Sequence, residues 1–144
     1  MSRNEPSLFE KIKYRLNHPQ NDFEYQLRYG WINRKELTVQ DIHCVFDTSS
    51  LIAKKWFFPR YRNEVTHETP VYRFLYDILS SDDNFLDVGA NMGQFSVFSS
   101  QICEQGEVHA LEMDPELIPV IQSNFRLNDV TNGRITCAAD RKST

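Results

Sequence analysis

The chain has 144 residues, 40% hydrophobic and 12% aromatic, which suits one domain with a packed core and excludes a disordered chain. Sixteen Lys and Arg against 20 Asp and Glu give a net charge of −4, so composition supplies no electrostatic reason to expect a polyphosphate, and no nucleic-acid partner is expected. The N-terminus lacks the apolar stretch of a signal peptide, and the unbroken apolar runs are too short to span a membrane; a cytoplasmic location is expected.

Two short helices are predicted first, over Pro6–Leu16 and Asp22–Tyr29, separated by the stop signal Asn17-His18-Pro19. Leu37–Val39 and Ile42–Phe46, rich in β-branched and aromatic residues and joined by Gln40-Asp41, read as a small hairpin. Thr48-Ser49-Ser50 offers cap residues for a helix over Leu51–Phe58 that Pro59 closes. A further helix is predicted from Thr69-Pro70 to Leu79, with Val71, Phe74, Leu75 and Ile78 sharing one face. The aromatic side chains of this region, Trp56, Phe57, Phe58, Tyr61, Tyr72, Phe74 and Tyr76, suit either a core or a stacking surface for bases or sugars; core packing is the expectation. Cys44, Cys103 and Cys137 are widely spaced and have no His at ligand spacing, so they read as buried reduced thiols, with no metal site.

Ser80 to Asn84 forms a polar seam, dividing the chain into a helical and hairpin segment over 1–80 and a different pattern over 81–144. Beyond it, strand and helix alternate: strand Phe85–Val88, helix Gly93–Cys103, strand Glu107–Glu112, helix Pro115–Leu127 and strand Arg134–Ala138. This βαβαβ order makes the fold class α/β, the front half of a doubly wound, Rossmann-like sheet. Pro119 lies where it would remove an early hydrogen bond of the second helix, so that helix either kinks or begins late.

Between the first strand and its helix lies Asp87-Val88-Gly89-Ala90-Asn91-Met92-Gly93. Nicotinamide and flavin sites more often read G-x-G-x-x-G, because their glycines admit a pyrophosphate, and here the middle glycine is missing. S-adenosylmethionine (SAM) has no phosphate; it offers an ammonium, a carboxylate and a sulfonium. A carboxylate at the strand end, Asp87, suits the ammonium. Gly89 and Gly93 leave room for close approach, and the amides of the turn are available to the ligand carboxylate. Glu112, at the end of the second strand, is placed to accept both ribose hydroxyls.

Phe85 to Ser96, together with Ala110-Leu111-Glu112-Met113-Asp114-Pro115 and Asn124-Phe125-Arg126-Leu127-Asn128, resembles the FkbM family of class I SAM-dependent methyltransferases. The resemblance implies cofactor contacts at Asp87, Gly89, Ala90, Asn91, Gly93 and Glu112, and O-methylation of a sugar or natural-product hydroxyl, hence a small-molecule or saccharide acceptor. Met113 departs from the proline that commonly follows the acid. Asp140, after the third strand, stands where related folds contact adenine. Asn91 and Asp114 are alternatively helix caps, and Asn124 and Asn128 are expected to fix a helix end.

A complete fold of this class has seven strands, and the residues after Asp87 leave room for three. The expectation is a truncated product of a longer gene, with the N-terminal segment covering the open edge or a partner chain completing the sheet as the alternatives. No general base is assigned, because its expected place lies beyond Thr144. A SAM-binding module without turnover and a nicotinamide-dependent oxidoreductase are the competing readings.

Overall fold

The computed structural model describes residues 7–9, 12, 14, 19, 21–61 and 68–138. The first predicted helix and Asp140 lie largely or wholly outside these residues. Helix α1 spans Asp22–Tyr29, and the Asn21 side chain accepts a hydrogen bond from the Glu24 N–H at 3.0 Å, capping it. Tyr29 at its end stacks on Phe58 with ring centroids 4.1 Å apart.

Strands β1 (Arg34–Val39) and β2 (Ile42–Asp47) form the expected hairpin, pairing Leu37 with Cys44 and Val39 with Ile42. Alternation turns Leu37, Val39, Ile42, Cys44 and Phe46 inward. Helix α2 spans Leu51–Arg60 and starts at Ser50, whose hydroxyl accepts from the Ala53 N–H. It runs past Pro59: the missing donor falls in the last turn, while Phe57, Phe58 and Tyr61 are buried and hold that turn in place. Helix α3 spans Thr69–Ile78. Its buried face is Tyr72 and Leu75, whereas Val71, Phe74 and Ile78 are exposed. The predicted face was the most apolar arc; Tyr72 wins the inward position by packing on the rings of Phe95 and Phe98 at 4.9 and 5.0 Å.

The remaining elements are β3 (Phe85–Val88), α4 (Gln94–Ser100), β4 (Val108–Glu112), α5 (Ile118–Leu127) and β5 (Gly133–Cys137). The three strands are parallel in the order β3-β4-β5, as two successive βαβ units give. Helix α5 begins three residues later than Pro115: the Asp114 side chain closes a local turn by accepting from the Glu116 N–H, and Pro119 falls in the first helical turn, where it lacks nothing. Of the three thiols, Cys44 and Cys103 are buried and Cys137 is exposed.

One core joins the residues on both sides of the seam. Leu37, Phe46, Phe57, Tyr61 and Tyr72 share a buried cluster with Ala90, Met92, Phe98, Ala110 and Ile121. Burying each large side chain stabilises the fold by about 1.5–3 kcal/mol. Polar contacts fix the register of this packing. Asn128 accepts from the Val45 N–H at 2.7 Å and donates to the Val45 carbonyl at 2.6 Å, so its side-chain amide pairs with β2 as a neighbouring strand would. Asn124, fully buried, accepts from the Asp47 N–H and donates to the Met92 carbonyl, both at 2.7 Å. The Ser123 hydroxyl donates to Asp47 at 2.6 Å; burial works against the Asp47 carboxylate, but hydrogen bonds from Ser123 and Ser49 outweigh it and hold its pKa below the usual value. No helix among the described residues is long and apolar enough to cross a membrane.

Candidate cofactor site

Parallel strands present their C-terminal ends on one side of the sheet, and both predicted acids sit there. Asp87 pairs in register with Ala110, and Glu112 lies two residues beyond Ala110 on the same face. Both carboxylates are buried, and the Asp87 pKa is raised, first by burial and also by the nearby Glu112, against hydrogen bonds from Ser96. Leu86 and Val88, with the opposite alternation, are exposed on the other face at 57% and 74%.

The turn between β3 and α4 has three left-handed residues, Gly89 (φ +79°), Asn91 (φ +53°) and Gly93 (φ +70°). The two glycines are there for different reasons. A Cβ on Gly93 would lie 2.9 Å from Ile121 Cγ2, so this glycine lets the turn pack against α5. A Cβ on Gly89 would meet nothing within 4 Å, so its exposed surface faces open space. Ala90 and Met92 are buried beneath the turn, and Asn91 is half-buried at its crest. Gly93, not Asn91, caps α4.

Glu112 holds the turn in shape. One of its oxygens accepts from the Asn91 N–H at 2.6 Å and the other from the Asp114 N–H at 2.8 Å, bridging the loops that follow β3 and β4. Asp87 accepts the Ser96 hydroxyl at 2.6 Å and also meets the Ser96 backbone N–H, which places its charge on the first turn of α4. The turn amides, expected to be available to a ligand, are mostly committed: Gly89 and Ala90 both donate to the Leu111 carbonyl, Asn91 to Glu112 and Gly93 to the Ala90 carbonyl. Among the described residues, no group of His, Cys, Asp and Glu could hold a metal ion.

The structure adds three residues that sequence reading had not assigned to the site. Ser96 is the partner of Asp87; its position one turn into the helix was the only sequence signal. Asn124, read as a helix-end residue, ties the Met92 carbonyl of the turn to β2. Gln94, buried at the start of α4, donates to Glu68 at 3.2 Å, which joins the left-handed residue before α3 to the same turn.

No protein-family model and no curated protein matches the chain. Solved structures do. M. jannaschii TYW2 in complex with AdoMet superposes with a TM-score of 0.55 at 17% identity, over 77% of this chain and 46% of its own. Trm5b from Pyrococcus abyssi gives 0.52 at 20% identity, over 79% and 31%. The M. jannaschii tRNA m1G37 methyltransferase gives 0.50 at 15% identity, over 89% and 45%. The chain thus spans less than half the length of each. One expectation is corrected here. Nucleic acid was excluded on net charge, yet one of these proteins of the same fold is a tRNA methyltransferase, whereas a saccharide acceptor has no counterpart among the three. Phosphate contacts are local, and a sum over the whole chain does not report them. The α/β fold of this chain is the Rossmann-like fold of class I SAM-dependent methyltransferases.

Proposed function

We propose that the C-terminal ends of β3 and β4 hold SAM, and that the chain carries the cofactor-binding part of a SAM-dependent methyltransferase. The observation that carries this reading is the pair of buried carboxylates, Asp87 and Glu112, on one face of adjacent parallel strands, flanking a turn with three left-handed residues. The FkbM-like motif over Phe85–Ser96 supports the same ligand, as does the AdoMet held by a protein of this fold.

The residues present fit the group. A carboxylate has about four lone-pair sites. Two are used at Asp87 and two at Glu112, so each retains acceptors for an ammonium or a ribose hydroxyl. Gly89 leaves the ligand side of the turn open. When bound, SAM supplies a methyl group on a sulfonium, open to in-line displacement by an acceptor atom. The contribution of this chain is to orient: Asp87 and Glu112 are already fixed by Ser96 and by two backbone amides, so little ordering is left to do on binding.

Calorimetric titration of the chain with SAM, with its demethylated product and with NAD tests the proposal. Saturable binding of the first two and none of NAD is expected, with Glu112→Gln weakening both. Heat only with NAD, or no SAM binding at all, would overturn it. Transfer of labelled methyl to an acceptor then separates an enzyme from a binding module.

A further inference from the structure

Between Thr48 and Asn63 the sequence has no acid; Lys54, Lys55, Arg60 and Arg62 are interleaved with Trp56, Phe57, Phe58 and Tyr61, inside a chain of net charge −4. The fold sorts this stretch into two sets. Phe57, Phe58 and Tyr61 are buried, and Lys54 turns its amine inward to the Thr48 carbonyl at 2.5 Å. Lys55, Trp56 and Arg60 are left on one face of α2, where they line a groove of about 330 Å³. The opposite wall comes from Asn91 of the cofactor turn and from Asp114 and Leu117 after β4.

The wall on α2 is ordered. The Arg60 guanidinium lies 5.0 Å from the Trp56 ring centroid, and its Nη1 donates to the Trp56 carbonyl at 2.9 Å, so cation and ring form one fixed pair. Lys55 is paired with Asp22 on α1. That pair is substantially exposed, and exposed pairs contribute little, about 0–1 kcal/mol, so an incoming anion can replace Asp22 at low cost.

We propose that this groove seats one nucleotide of an RNA acceptor beside the cofactor turn. A nucleotide combines a flat ring with a phosphate, matching the Trp56–Arg60 pair and the two cations in a single ligand. A neutral sugar would use the ring but not the cations, and a dicarboxylate the cations but not the ring. Asn91 belongs both to the groove and to the turn held by Glu112, which puts the occupant against the methyl donor. The inference therefore rests on the SAM reading above.

The test uses the full chain, a fluorescein-labelled single-stranded RNA followed by anisotropy, and SAM calorimetry in parallel. Arg60→Gln and Lys55→Gln are each expected to weaken RNA binding about tenfold and to lower the slope of log affinity against log salt by about 1. SAM affinity should stay within about twofold. AMP should displace the RNA at lower concentration than ribose 5-phosphate does, because only AMP can stack on Trp56. RNA that fails to bind, or binds both variants like the parent chain, overturns the proposal. Equal loss of SAM and RNA affinity would assign the groove to the cofactor instead. Failure of SAM to bind the parent chain sinks the cofactor reading, and is seen in a separate arm from the RNA result.

Discussion

Gly89 and Gly93 share a left-handed backbone but have opposite surroundings, so replacing each with alanine separates the fold from the ligand site. An L-residue in this region costs about 1–2 kcal/mol. For Gly89→Ala that is the whole cost, since the new methyl meets nothing within 4 Å. For Gly93→Ala the methyl would stand 2.9 Å from Ile121 Cγ2, a side chain that is fully buried. Overpacking adds about 1–3 kcal/mol, for a total of roughly 2–5 kcal/mol. Domains of this size are stable by only about 5–15 kcal/mol, so Gly93→Ala should produce a large shift in urea midpoint and Gly89→Ala a small one. SAM affinity should reverse the order: Gly89→Ala fills the open side of the turn and should lose at least about tenfold, the equivalent of 1.4 kcal/mol. The Gly93→Ala/Ile121→Ala double variant should be less destabilised than the two single losses added, because the clash disappears. Equal destabilisation by the two single alanines, or full SAM affinity in Gly89→Ala, would refute this division of roles.

Asn124→Ala leaves the Asp47 N–H and the Met92 carbonyl without partners, and should cost roughly 2–5 kcal/mol in urea denaturation; a loss below about 1 kcal/mol would refute its linking role. Burial raises the pKa of Asp87, so the folded chain binds a proton that the unfolded chain releases, and stability falls as pH rises from the ordinary aspartate range through the raised value. Compared with Asp87→Asn by thermal melts, the parent chain should therefore gain relative stability toward acid pH, and a difference that does not vary with pH would contradict this. Burial pushes the Cys44 thiol up to about 12 and raises that of Cys103, while Cys137 is exposed. A thiol-reactive chromogen at neutral pH should count one fast cysteine and release the other two only in denaturant; three fast thiols would contradict the core packing.

The elements were legible where one local signal decided them. Strand β3, the hairpin and the βαβαβ order follow from apolar runs bounded by polar turns, and the positions of Asp87 and Glu112 follow from that order. Ends were less legible, because capping is a competition: Asp114-Pro115 looks like a helix start, but Asp114 bonds Glu116 and the helix waits until Ile118. Long-range polar pairing was not legible at all. Asn128 and Asn124 reach β2 across 83 and 77 residues, and nothing in Asn-x-x-x-Asn distinguishes a helix end from a strand mimic. The turn amides illustrate the same limit: a glycine-rich turn suggests free donors, and only the structure shows that Leu111 and Glu112 already accept them.

Net charge is a poor guide to a nucleic-acid partner, for a physical reason that also guides what to measure. Net charge governs long-range steering, which falls off over a Debye length of about 8 Å at physiological salt. Contact within a groove depends on the few charges that line it. In α2 the cations are placed by helical spacing and the adjacent acids are absent from the same stretch, so a locally positive wall coexists with an acidic chain. The two scales have different salt signatures. If the groove holds a phosphate, added salt should weaken RNA binding in the parent chain and weaken it less steeply once Lys55 or Arg60 is neutral. If only the overall charge mattered, an acidic chain would repel RNA, and added salt would screen that repulsion and favour binding.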